Sequence, residues 1–139
     1  MPFLSIADFE VLIKNNVLDE VTDAADELVD QVALMAQQEM ESYLNQKYNV
    51  ATIFNATGND RNKLIIMYAL DISLYHIHAR INPRYIPEIR QIRYENAKKW
   101  LESVAKGTIT PNIPPRLDEN NESISNTRYG SLPKFNSDY

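Results

Sequence analysis

The chain has no cysteine, which excludes disulfides, thiolate metal sites and cysteine nucleophiles. Histidine is nearly missing as well, since His76 and His78 are the whole imidazole supply. Glycine occurs three times, at Gly58, Gly107 and Gly130, tens of residues apart, so no glycine-rich loop is present to cradle a phosphate. No serine stands in a Gly-x-Ser-x-Gly elbow. No uninterrupted apolar run approaches the roughly 18 residues that a membrane span needs. The opening Met1-Pro2-Phe3-Leu4-Ser5-Ile6 lacks the basic start and long apolar stretch of a secretion signal. These gaps leave a chain poorly equipped for enzyme chemistry. Neither catalytic residues, a metal site nor a cofactor is expected.

What is present fits one domain. The 139 residues are 44% hydrophobic and 24% charged, ordinary values for a globular protein with a real core. The net charge of −5 conceals a division along the chain. Met1 to Gln46 holds ten acidic residues against one basic residue, Lys14, whereas Lys47 to Ile109 holds ten basic against five acidic. Such asymmetry fits a partner of opposite sign, or one part of a copy set against the opposite part of its neighbour. Two solvated helix faces with no partner are the plain alternative.

The hydrophobic spacing predicts four helices. Ser5 and Asp8 form a capping pair, and Phe9, Leu12 and Ile13 follow at helical spacing up to Asn15-Asn16. A second helix starts at Thr22 or Asp23 and fades near Lys47-Tyr48-Asn49. Its apolar positions are Leu28, Val29, Val32, Ala33, Met35, Ala36, Met40, Tyr43 and Leu44. Val50 to Asn59 reads as a loop with a brief extended stretch. Asn59 or Asp60 caps a third helix from about Arg61 to Ile81, apolar nearly all round and therefore central. Asn82-Pro83 breaks it, and Pro87 suits the first position of a fourth helix. Ile89, Ile92, Asn96, Trp100, Leu101 and Val104 are expected to form its buried side, with Gly107 as the stop. The expectation is an all-α, compact bundle of about four helices over residues 1–107, followed by an extended C-terminal tail over 108–139.

That tail carries four of the seven prolines and few aliphatics, too little apolar surface to offset its own ordering. It nevertheless ends in Arg128-Tyr129-Gly130-Ser131-Leu132-Pro133-Lys134-Phe135 and Tyr139, which is aromatic for a merely solvating segment. A tail that orders on assembly reconciles the two. Arg128, Tyr129, Leu132, Phe135 and Tyr139 are its candidate contacts with a partner or a neighbouring copy.

Elsewhere the chemistry-bearing residues fall into surfaces rather than sites. His76 and His78 are two apart, about 200° around a helix, so they do not share a metal. The acidic residues from Asp19 to Asp30 lack the glycine and the ligand alternation of a calcium loop. Asp23, Asp26, Glu27 and Asp30 instead lie at i, i+3, i+4 and i+7, one acidic face. Arg80, Arg84, Arg90, Arg93, Lys98 and Lys99 form a basic cluster, with Arg90 and Arg93 on one face of the fourth helix and Ile89, Ile92 and Trp100 on the other. Interleaved Glu88, Glu95 and Glu102, and a sequence pI of about 5.0, argue against a dedicated nucleic-acid binder. Asp23, Asp26, Glu27 and Asp30 form either a solvated face or an interface, and in the second case they are candidate partners of Arg90, Arg93 or Lys99 of a neighbouring copy.

Three stretches together carry a family likeness. The start Phe3-Leu4-Ser5-Ile6-Ala7-Asp8-Phe9 is an aromatic followed by a capped helix. The second helix closes on Glu41-Ser42-Tyr43-Leu44-Asn45-Gln46-Lys47-Tyr48, and the third and fourth carry Ala69-Leu70-Asp71-Ile72-Ser73-Leu74-Tyr75 and then Arg93-Tyr94-Glu95-Asn96-Ala97-Lys98-Lys99-Trp100-Leu101. In this order the chain resembles the small head–tail connector (adaptor, or neck) proteins of tailed bacteriophages, in particular the Mu-like connector family. It departs from that pattern in Lys47, where arginine is usual, and in its long Asn-rich tail.

The resemblance implies a structural virion protein rather than an enzyme. Such proteins form a ring, usually of twelve copies, between the portal protein and a tail-side neck or tail terminator protein. The ring extends the channel through which packaged DNA passes without sequence specificity, and gives the tail a docking surface. The implied location is the neck of the virion, assembled in the bacterial host cytoplasm, with no membrane partner. The alternative reading is a small helical regulatory domain that binds DNA or a protein.

Overall fold

A computed structural model describes residues 3–14, 17–18, 26–81 and 83–117 of the chain. Among these residues the secondary structure is helical with no strand, so the all-α expectation holds. The elements are α1 (Ile6–Phe9), α2 (Asp26–Leu44), α3 (Val50–Asn55), a 3-10 turn (Gly58–Asp60), α4 (Lys63–Ile81) and α5 (Glu88–Lys106). The three long helices pack on one another, α2 and α5 both against α4 and also against each other.

α4 is the centre because its sequence allows no solvent stripe. Ile65, Ile66, Ala69, Leu70, Ile72, Leu74 and Ile77 are all buried, which spreads apolar contact around the whole helix. Its 19 residues are long and apolar enough to cross a membrane on composition alone. Here they are the core of a bundle, and Ser73 returns its hydroxyl to the Ala69 carbonyl at 2.7 Å. The helix starts at Asn62 rather than at Asn59 or Asp60: the Asn62 side chain accepts from the amides of Leu64 (2.9 Å) and Ile65 (3.1 Å), a regular N-cap.

α2 turns Val29, Val32, Ala33, Ala36, Met40 and Leu44 into the core, the expected stripe with one exception. Met35 sits outside it and is 59% exposed. Three further expectations need correction. Val50 to Asn55 forms a helix, not a loop, because the Asn49 side chain accepts from the Thr52 amide at 3.1 Å and caps it. That short helix buries Ile53 and Phe54, and Phe54 meets Phe3 edge-on with ring centroids 5.0 Å apart. α1 is a single turn that ends at Phe9, well short of Asn15. Beyond it the β-branched Val11 and Ile13 favour a helix less, and looser turns bring Phe9 and Ile13 to the core. Pro87 stands just outside α5 as its cap, not inside its first turn.

α5 ends where expected. Gly107 adopts φ +86°, and the Thr108 amide donates to the Ser103 carbonyl at 2.9 Å, a glycine-dependent C-cap. A side chain at Gly107 would also meet the Lys47 ammonium at 2.9 Å. The chain then stays on the body through residue 117. The Asn49 amide donates to the Pro114 carbonyl and the Arg116 amide to the Lys47 carbonyl, each at 2.9 Å. Tyr48 and Pro115 thus form an antiparallel bridge, and Ile113 is buried beneath it.

Candidate functional site

Polar side chains form three nodes where the helices meet. The deepest joins α4 to α5. Asp71, only 3% exposed, lies in the middle of the most apolar helix and accepts from Arg93 Nε at 2.6 Å. Burial nonetheless pushes the Asp71 carboxyl above its ordinary range, against the opposing pull of Arg93 and Arg90. Arg90 reaches inward beside it and donates from Nη2 to the Leu12 carbonyl at 3.0 Å. Its other terminal nitrogen is buried and has no hydrogen-bond partner among the described residues. Burial, then the charge of Arg93, lowers the Arg90 pKa; burial, then Arg90, lowers that of His78.

The second node joins all three long helices. Glu39 on α2 lies 3.2 Å from His76 Nε2 on α4 and accepts from the Tyr94 hydroxyl of α5 at 3.4 Å. Tyr94 also stacks flat on Tyr75, with centroids 4.0 Å apart. Burial and the nearby Glu39 carboxylate push the Tyr94 hydroxyl up to about 12. The third node ties the start of the chain to the 3-10 turn. Arg61 donates to both Asp8 oxygens (2.6 and 3.1 Å) and to the Phe3 and Gly58 carbonyls, both at 2.8 Å. Burial raises the Asp8 pKa, but hydrogen bonds from Arg61 and Ser5 outweigh it and hold the carboxyl below its ordinary range. Each node has a single carboxylate, and among the described residues no group of three or more acidic or histidine side chains is placed to hold a metal. The geometry is that of internal struts.

The basic cluster is therefore divided. Arg90 and Arg93 do share a face, as the spacing predicts, but it is the inner one, and Arg93 is neutralised within the chain. The buried side of α5 is Ala97, Trp100, Leu101 and Val104; Ile89 (54% exposed), Ile92 (44%) and Asn96 face solvent instead. The physical reason is Asp71: a carboxylate inside the core demands a cation, and α5 turns to supply one. That carboxylate, standing alone in an apolar run, is the sequence signal that identifies the inner face. Lys99 is exposed, as are Arg80 and Arg84. Glu27 and Asp30 are exposed on α2. Asp23, the side chain of Asp26, and the tail residues Arg128, Tyr129, Leu132, Phe135 and Tyr139 lie outside the described residues.

Two surface features were not legible as such. At the corner between α4 and α5, Ile81, Tyr85, Ile89 and Ile92 are all exposed, Tyr85 to 73%. On the N-terminal half of α2, an open groove of about 310 Å³ is floored by Phe3, Leu4, Ala33 and Leu34 and edged by Glu27 and Asp30. Apolar surface gathered in this way on a small domain is a candidate contact surface.

No curated protein and no solved structure matches the chain. The family model described as "Bacteriophage Mu, Gp36" does match, over residues 4–128, from the first turn of the fold through all three long helices. On that coverage the chain belongs to the bacteriophage Mu Gp36 family.

Proposed function

We propose that the protein is a head–tail connector: identical copies associate side by side into a ring of twelve between portal and tail, extending the DNA channel and docking the tail. The family makes it a phage protein with a structural or morphogenetic role. The observation that favours the connector is the exposed apolar corner of Ile81, Tyr85, Ile89 and Ile92. It is flanked in sequence by the exposed Arg80 and Arg84, while Glu27 and Asp30 mark an acidic surface on α2. Different surfaces of opposite sign on one molecule suit a heterologous contact, which generates a ring when its rotation closes. In this reading Arg80, Arg84 and Lys99 take the place of Arg90 and Arg93 as partners for the acidic face. Portal and tail-side neck or terminator proteins are the axial partners, packaged DNA passes through the lumen, and neither a cofactor nor catalysis is involved.

Light scattering over a concentration and salt series tests it, with and without portal protein. A discrete ring is expected, alone or on portal addition. The Ile89→Glu, Ile92→Glu double variant changes only exposed side chains, and it should keep its helical circular dichroism while losing assembly. A chain that stays monomeric with portal and tail components but binds duplex DNA tightly would overturn the connector in favour of the regulatory domain.

A further inference from the structure

The groove on α2 is an apolar channel with acidic edges, and one stretch of the polar C-terminal arm, residues 126–135, pairs large apolar side chains with basic ones. Phe3, Leu4 and Ala33 are buried at its floor, Leu34 is 52% exposed, and Glu27 and Asp30 supply two negative charges. Residues 126–135 contain Arg128 and Lys134 and no acidic residue. Tyr129, Leu132 and Phe135 recur at every third position there. In the extended conformation of three residues per turn that Pro133 favours, these three align on one edge, with Arg128, Ser131 and Lys134 along the next.

The direction of the backbone brings the two together. The pairs Asn49–Pro114 and Lys47–Arg116 run antiparallel, and Arg116 reaches on to the Asn45 carbonyl at 3.4 Å. From Pro114 to Arg116 the chain thus runs toward the C-terminal end of α2, the helix whose N-terminal half lines the groove. Along a helix rising about 1.5 Å per residue, Leu34 is roughly 16 Å from Asn45 and Glu27 about 27 Å. The eleven residues 118–128 span up to about 36 Å when extended, so the basic, aromatic part of the arm reaches the groove with slack.

We propose that this groove is the receptor for the chain's own C-terminal arm, with Tyr129, Leu132 and Phe135 over Leu4, Ala33 and Leu34, and Arg128 and Lys134 beside Glu27 and Asp30. Tethering favours the arm of the same chain at low protein concentration, because a short flexible linker holds it at a local concentration in the millimolar range. This inference requires neither ring nor portal, but it occupies Glu27 and Asp30, the carboxylates that the connector reading sets against a neighbouring copy, so the arm and the neighbour compete for that face.

The absence of native cysteine makes the test direct. In the full chain at low micromolar concentration, Gln31→Cys at the groove is combined with Ser131→Cys in the arm. A second protein combines Ser131→Cys with Asn96→Cys, an exposed position on α5. In a glutathione redox buffer, the groove pair is expected to close an intramolecular disulfide at least tenfold faster than the α5 pair. Adding Glu27→Lys and Asp30→Lys should return it to the α5 rate. Tyr129→Ser with Phe135→Ser, which leaves the helical body untouched, should do the same. Equal rates for the two pairs, a product that is a disulfide-linked dimer, or a groove rate unmoved by both sets of changes would overturn the proposal.

Discussion

Two arginine–carboxylate pairs of the same 2.6 Å length hold this molecule, and they behave in opposite ways. Asp8 receives four hydrogen bonds, two from Arg61 and two from Ser5, at the edge of the fold. Asp71 receives one, from Arg93, inside it. Burial acts on both carboxyls in the same sense, yet Asp8 ends below its ordinary value and Asp71 above. Distance between partners is therefore a poor guide to what an ion pair does. The number of donors, set against the water removed, decides the sign.

The most severe way to break this comparison is to halve the inner pair. Arg93→Met leaves Asp71 buried without its hydrogen-bond donor and with only the charge of Arg90 beside it, with an expected loss of up to about 3–5 kcal/mol in urea unfolding. Asp71→Leu strands the guanidiniums of Arg93 and Arg90 at similar cost. Combining the two changes should recover the part of the loss that belongs to the Asp71–Arg93 pair, because a well-packed apolar pair commonly replaces a buried ion pair without loss, while the part due to Arg90, left beside no carboxylate, remains. A double variant no better than the worse single one would show that the pair itself stabilises.

At the outer pair the expected effects are smaller. Arg61→Met removes hydrogen bonds to Asp8, Phe3 and Gly58, some of them replaced by water, and about 1–3 kcal/mol is expected from the same urea unfolding measurement. Equal losses at the two pairs would remove the distinction drawn here.

The finest test is pH. Asp8 contributes stability that is fully present above its unfolded value near 3.8, and is lost as the pH falls through its lower native value. Asp71 has the reverse sign. Its contribution is present below 3.8 and is lost as the pH rises through its higher native value. Carboxyl carbon chemical shifts followed by NMR should place the two midpoints on opposite sides of 3.8. Midpoints on the same side would contradict the hydrogen-bond count as the deciding factor.

The long helices were legible because their residues repeat with the helix period and glycine is scarce. α2 follows that period, α4 shows itself instead by a long apolar run without glycine or proline, and Gly107 marks the end of α5. The errors arose where a single side chain outweighed periodicity. Asn49 turns a β-branched stretch into α3 by capping it, and Asn62 delays the start of α4. Asp71 rotates α5 so that arginines enter and isoleucines leave, which two isoleucines three apart could not reveal. Of the acidic face expected from spacing, Glu27 and Asp30 are exposed on α2, and Asp23 and the side chain of Asp26 lie outside the described residues. The groove beside that face was not legible, because it depends on Phe3 and Leu4 returning from the start of the chain.

The bridge between Tyr48 and Pro115 has a mechanical consequence. The last described residues are fastened to the chain link between α2 and α3, not left to hang from α5. A pull applied beyond Leu117 is met first by the hydrogen bonds at Lys47 and Asn49, and only after they release does tension reach Gly107 and the cap of α5. The strap therefore acts as a strain relief, directing load from the arm into the far end of α2 while the contact between α4 and α5 stays unloaded.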